Sequence, residues 1–194
     1  MAKSRVPQPE TPEESQPRDL FQTPQYAVDL LIPFIPKHIT KVWECAAGER
    51  RMANRLVNHG YDVWATDIRE NLDGVDVFNF MTEMTIPNKN NTAIITNPPY
   101  SLKRKFFEKC LEEYHIPFAL LISGDYSMWT INAVWKQDCE KIIPNRRIDY
   151  ITPTGKSGAT GNTSYFHTYW MTWGFGLGRT ETFVDLTKEM KANI

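Results

Sequence analysis

The residues with the most definite chemistry are Asn97-Pro98-Pro99-Tyr100, which follow directly on a short apolar run at residues 92–96. Two consecutive prolines after a strand cannot donate to a sheet ladder, and they hold the chain stiff and extended. The Asn97 amide oxygen and the neighbouring backbone carbonyls are thereby left as fixed hydrogen-bond acceptors. An exocyclic amine conjugated to a ring or a carbonyl is a poor nucleophile, because its lone pair is delocalised. Two acceptors gripping its two N–H groups favour a tetrahedral nitrogen and direct the lone pair outward. They also stabilise the positive charge that develops as the nitrogen attacks an electrophilic methyl group. Tyr100 adds a flat face on which a planar target can stack. The chemistry that these residues suit is alkylation of an sp²-bound amine.

Two acids stand near the ends of other predicted strands, Glu44 in the run 41–46 and Asp67 in the run 63–68. Gly48 stands in the loop Ala47-Gly48-Glu49 after the first of them. The remaining reactive side chains form no such set. Cys45, Cys110 and Cys139 are far apart and odd in number, and they read as buried thiols of a reducing compartment. His38, His59, His115 and His167 are equally scattered, so no metal is expected.

The elements that must position these groups alternate between β-like runs and amphipathic helical stretches, which argues for an α/β sheet domain. Thr23 can cap a first helix with Pro24 at its first position. Tyr26, Leu30, Leu31 and Phe34 share one face of it, and Pro33 and Pro36 end it. After the strand 41–46 comes a helix with Met52, Leu56 and Val57 inward, closed by Gly60. Strands follow at 63–68, 92–96 and 118–122. A helix after the tetrad places Leu102, Phe106, Cys110 and Tyr114 on one side and Lys103, Arg104 and Lys105 on a solvated one. Two β-like segments, 147–152 and 167–172, flank a Gly/Ser/Thr-rich stretch at 153–164 that reads as a mobile loop. Trp129, Trp135 and the aromatic cluster at 165–173 read as core.

In order, Phe21-Gln22-Thr23-Pro24, Trp43-Glu44-Cys45-Ala46-Ala47-Gly48, Thr66-Asp67-Ile68, Asn79-Phe80 and the tetrad resemble the amino-methyltransferases. The likeness is greatest to the small phage and prophage adenine-specific DNA methyltransferases, and it covers roughly residues 20 to 125. The resemblance implies a doubly wound, seven-stranded, Rossmann-like methyltransferase sheet, S-adenosylmethionine as cofactor, and N6 of a flipped-out adenine in DNA as target. It places Thr23 at the methionine end of the cofactor, with Glu44 and Gly48 as the floor and tight turn beneath it. Asp67 would take the ribose hydroxyls, Asn79 the adenine amine, and Phe80 the adenine ring, although Phe80 reads equally well as a core aromatic. Asn97 and Pro98 would hold the reacting amine and Tyr100 would stack on the base. Two positions depart from the family pattern: Arg50 stands where a second glycine is usual, and Asn79 where Asp is usual. RNA adenine and protein glutamine methyltransferases share the tetrad, and a catalytically silent DNA- or protein-binding relative is a reading of another class.

The whole chain has 194 residues, 41% of them hydrophobic and 23% charged, which suits one domain with a real core. A net charge of −1 means that nucleic acid would have to meet a local basic surface. Residues 1–18, rich in Pro, Glu, Gln and Ser, read as a disordered tail preceding a domain at 19–194. No apolar run approaches the roughly 20 residues of a membrane span and the polar start is no signal peptide, so a cytoplasmic location is expected. Oligomeric state is not legible.

Overall fold

The sheet forms around two strands, β4 (Thr92–Thr96) and β5 (Phe118–Ser123), that are buried along their whole length. Continuous apolar strands of this kind suit the centre of a parallel sheet covered on both faces. β1 (Lys41–Glu44) pairs in parallel with β2 (Asp62–Asp67) on one side and with β4 on the other. With β3 (Asp76–Val77), β6 (Glu140–Pro144), β7 (Thr168–Trp173) and β8 (Glu181–Val184), the strand order is β3-β2-β1-β4-β5-β7-β6-β8. β7 runs antiparallel to both its neighbours, and the other pairings are parallel. This computed structural model describes residues 21–85, 88–124, 127–151 and 167–192. The expected tail at 1–18 and loop at 153–164 lie outside the described residues.

Successive residues of the strands point to opposite faces and build two cores. Val42, Ile95, Leu121 and Trp170 face α1 (Gln25–Asp29), a 3₁₀ turn (Ile32–Phe34) and α2 (Arg51–Asn58), whose Met52 and Leu56 are buried. Trp43, Ile94, Phe118, Leu120 and Met171 face α3 (Lys103–Glu108) and the π-helical turn Lys109–Tyr114 that continues it. Phe106, Cys110 and Tyr114 pack there, on the face that the helical spacing gives them. α4 (Met128–Lys136) and α5 (Lys188–Ala192) complete the described elements of this single α/β domain.

Several expectations need correction. Among the described residues the sheet has eight strands rather than seven, because β8 adds to the edge beyond β6. Its four residues bury only Thr182, too little for a period-two signal. α1 begins after Pro24, which is extended at φ −69° and ψ 149°, and no side chain caps it; Thr23 is buried instead. The segment 147–150 forms no strand, and Ile151 makes only an isolated bridge to Gln22. Its alternation of apolar residues reflects the packing of Ile148 and Tyr150 in the core. Val57 is 46% exposed and Trp135 is 76% exposed, so neither is core. The three cysteines are free and buried, and burial pushes their thiols above the ordinary value. No described helix is long and apolar enough to cross a membrane.

The bridge matters because it straps the segment before α1 across the sheet. Gln22 N–H donates to Ile151 C=O at 2.8 Å and Ile151 N–H returns a bond to Gln22 C=O at 3.0 Å. Next to it, the buried Asp149 N–H donates to the Tyr26 hydroxyl at 2.7 Å. Asp29, at the end of α1, takes the Arg55 guanidinium of α2 in a fork at 2.7 and 2.9 Å. Replacing Tyr26 with Phe leaves a buried amide without a partner, which costs about 1–3 kcal/mol. The Tyr26→Phe variant is therefore expected to unfold at lower denaturant with an unchanged slope, as chemical denaturation would show.

Candidate active site

The carboxyl ends of β1, β2 and β4 converge where the strand order reverses around β1, the place at which open α/β sheets form their crevice. Glu44 ends β1 and is 2% exposed. Burial holds its carboxyl well above the usual carboxylate range; the Ala53 backbone N–H of α2 opposes that rise, nearby Asp67 adds to it, and Arg50 opposes it. Among the described residues, its Oε2 has no hydrogen-bond partner. A buried polar oxygen without a partner is costly and marks a place where something else can bind.

The turn after β1 is built to bring backbone close. Gly48 sits at φ +54°, and a Cβ there would lie 2.8 Å from Gln22 Oε1 and 3.3 Å from Arg69 Nη2. Its N–H donates to Asp67 Oδ2 at 2.8 Å. Arg50 also adopts the left-handed region, at φ +61°, as the N-cap of α2. An L side chain is strained in that conformation, which glycine adopts without cost. The Arg50 guanidinium donates to the Gly74 carbonyl, and Arg50 lies outside the cavity formed by Glu44, Gly48 and Asp67.

Two cavities meet at the tetrad. The first is lined by Thr23, Glu44, Gly48, Asp67 and Arg69, among others, and the second by Pro98, Tyr100, Lys103, Ser123, Tyr150 and Thr168, among others. Phe21 and Asn97 line both. A turn in which Leu102 N–H donates to Pro99 C=O at 2.9 Å carries Tyr100 into the second cavity. There the Lys103 ammonium lies 4.8 Å from the Tyr100 ring centroid and donates to Ser123 Oγ at the end of β5. Lys103 thus faces the cavity rather than forming part of a solvated stripe. Burial pushes the Tyr150 hydroxyl above its ordinary value, an effect that Thr168 opposes.

Of the residues singled out from the sequence, Thr23, Glu44, Gly48, Asp67, Asn97, Pro98 and Tyr100 are brought together around these two cavities. Asn79 and Phe80 line neither. Asn79 Oδ1 accepts the Met81 N–H at 3.0 Å, and its own N–H donates to Glu83 at 2.8 Å. Phe80 is 3% exposed and stacks on Phe106 and Tyr114 at 4.6 and 5.4 Å. Sequence reasoning missed Arg69, Tyr150 and Thr168. Arg69 follows the Asp67 strand end closely enough to have been found; Tyr150 and Thr168 arrive through long-range pairing that no local pattern shows. Among the described residues, no group of His, Cys, Asp or Glu side chains could hold a metal ion.

The architecture is similar to that of solved methyltransferases. The type I restriction-modification system methyltransferase subunit from Streptococcus thermophilus matches with a TM-score of 0.58 at 12% identity, over 85% of this chain and 47% of that one. The 23S rRNA methyltransferase ErmE matches with a TM-score of 0.51 at 13% identity, over 89% of this chain and 74% of that one. The chain therefore spans about half the length of the restriction-modification subunit. No protein-family model matches the sequence, and neither does any curated protein. At such identities the likeness establishes the fold, which is the Rossmann-like fold of methyltransferases.

The Glu44 environment has a consequence for stability. Above the ordinary carboxyl value of 4.5 the unfolded chain has released this proton while the folded protein still holds it. The native state then binds more protons, so stability falls as pH rises through that window, by at most about 1.4 kcal/mol per pH unit for one group. The isosteric Glu44→Gln variant lacks this slope. It is expected to match the wild type near pH 4 and to exceed its melting temperature increasingly as pH rises. A difference in melting temperature that is constant from acid to neutral pH would contradict this assignment.

Proposed function

We propose that this methyltransferase-fold domain is an S-adenosylmethionine-dependent enzyme that methylates N6 of adenine in DNA. The observation that carries this reading is the pair of cavities sharing Asn97 and Phe21, one lined by acids and bare backbone, the other by acceptors and an aromatic face. The residues present fit the cofactor. The unpartnered Glu44 Oε2 suits the ammonium group of its methionine end, and Gly48 admits close approach where a Cβ could not. Thr23 lies in the same cavity, and Asp67 offers a carboxylate for ribose hydroxyls. We assign Asn79 and Phe80 no direct contact, because Asn79 Oδ1 is engaged by Met81 and Phe80 is enclosed by aromatic rings.

In the second cavity, Asn97 Oδ1 and the Pro98 carbonyl accept the two N–H groups of the target amine, and Tyr100 stacks on its ring. The paired prolines hold the backbone that carries these acceptors extended, so the nitrogen lone pair is directed before any bond changes. When bound, the cofactor supplies a sulfonium methyl whose C–S bond breaks as the N–C bond forms, while one amine proton leaves to solvent. Positioning and preorganised acceptors supply the catalysis, without a strong general base. An adenine in duplex DNA must leave the stack to reach Tyr100, which replaces part of the lost stacking. DNA is favoured as substrate by the Phe21-Gln22-Thr23-Pro24 segment and by the similarity to a restriction-modification subunit.

The test is incubation with tritiated S-adenosylmethionine and, separately, DNA, RNA and cell protein. Label is expected in DNA as N6-methyladenine. Asn97→Ala is expected to abolish transfer while leaving cofactor binding nearly intact. Asp67→Ala is expected to weaken cofactor binding at least tenfold, or about 1.4 kcal/mol. Tyr100→Ala is expected to lose most activity and Tyr100→Phe to keep much of it. Label confined to RNA or protein would remove the DNA assignment, and a folded protein that binds no cofactor would leave only a binding module.

A further inference from the structure

Asp67 is the acid proposed above for the ribose, yet both its oxygens are already engaged. Oδ2 accepts Gly48 N–H at 2.8 Å and Arg69 Nη2–H at 3.3 Å; Oδ1 accepts the Arg69 backbone N–H at 3.0 Å and Arg69 Nε–H at 3.0 Å. A carboxylate offers about four acceptor positions, so this one is saturated. Two of the four bonds are backbone bonds fixed by the turn after β1 and by the chain two residues on. The other two form the bidentate fork of the Arg69 guanidinium. That guanidinium lines the same cavity as Glu44 and Gly48, and its side chain is 30% exposed against 8% for Asp67. The fork is thus the removable half of the Asp67 shell.

We propose that Arg69 is a positioning residue that guards the ribose end of the cofactor cavity. A ribose presents two hydroxyl donors side by side, and they match in number the two guanidinium donors that hold Asp67. Without cofactor, Arg69 satisfies the buried acid and keeps its carboxylate aimed into the cavity. With cofactor, the diol takes the two positions of the fork and the guanidinium swings to solvent. Arg69 therefore lowers cofactor affinity by competing for Asp67. This rests on the reading of the first cavity as the cofactor site.

The experiment is calorimetric titration of the full chain with S-adenosylhomocysteine at about 0.05 M and about 0.5 M salt, a range over which partly exposed ion pairs are progressively screened. Arg69→Met is expected to bind about fivefold or more tightly than wild type at low salt, by removing the competitor. Wild-type affinity is expected to rise with salt as the fork weakens, and that of Arg69→Met to stay flat. In an Asp67→Asn background the Arg69→Met gain is expected to shrink to within about twofold, the coupling that a double-mutant cycle isolates. Arg69→Lys, which keeps the charge but cannot fork, is expected to fall between and serves if the Met variant does not fold. Equal or weaker binding by Arg69→Met, or a gain that persists with Asp67→Asn, overturns the proposal. If neither folded wild type nor Arg69→Met binds the ligand, the cofactor reading falls and takes this inference with it.

Discussion

The hydrogen bond from the Gly48 N–H to the Asp67 carboxylate is the contact on which the arrangement of the site depends. It joins the turn after β1 to the end of β2, two strands already held in parallel register with Glu44 beside Ala65. A turn that reaches the acid must pass Gly48 and Arg50 through the left-handed region, at φ +54° and +61°. α2 can then start close enough to β1 for its Ala53 N–H to act on the Glu44 carboxyl. With the Ala47 N–H bond to the Thr66 C=O at 2.9 Å and the Glu49 N–H bond to Gln22 Oε1 at 3.1 Å, that bond sets the relation between the two acids.

Those acids are held in opposite conditions. Glu44 has an oxygen without a partner, and Asp67 has both oxygens engaged. The first condition raises the free energy of the folded protein, as does a left-handed Arg50, which costs about 1–2 kcal/mol relative to an ordinary backbone conformation. The continuous burial of β4 and β5 and the two cores they separate offset such local costs. A ligand that carries both a cation and a diol would relieve one acid and exchange partners with the other. The open Glu44 oxygen thus favours a bound cation, while the engaged Asp67 gives up its fork only in exchange.

What could be read from the sequence followed from local physics. β4 and the rigid tetrad after it were legible because an apolar run ending in paired prolines has few other structures to adopt. The inward set Leu102, Phe106, Cys110 and Tyr114 was legible from helical spacing, although the last turn of that helix widens to a π form. The errors arose where tertiary context decided. Thr23 is a favourable capping residue, but Pro24 is extended and turns it toward the cavity. The alternation at 147–152 has the period of a strand, yet its buried side chains serve packing under the Gln22 bridge rather than a ladder. Trp135 carries the hydrophobicity of core and lies on the outward side of α4. Tyr150 and Thr168 reach the second cavity from segments that only the folded sheet brings near Asn97.

The Gln22–Ile151 strap explains why the two cavities form one site. Phe21 precedes the strap on one strand of the bridge and lines both cavities; Tyr150 precedes it on the other and lines the second. Gln22 itself accepts the Glu49 N–H at 3.1 Å, so the same residue holds the turn over Gly48. One backbone bridge therefore ties together neighbours of residues that line both cavities. The transfer proposed above, which aligns a lone pair with a methyl group, would be sensitive to misplacement on the scale of 1 Å. Such alignment is better set by paired backbone bonds between distant segments than by a mobile side chain, which is consistent with a site that contains acceptors and an aromatic face but needs no strong base. Under the function proposed above, the wall shared by the cavities, Phe21 and Asn97, is the boundary between cofactor and target.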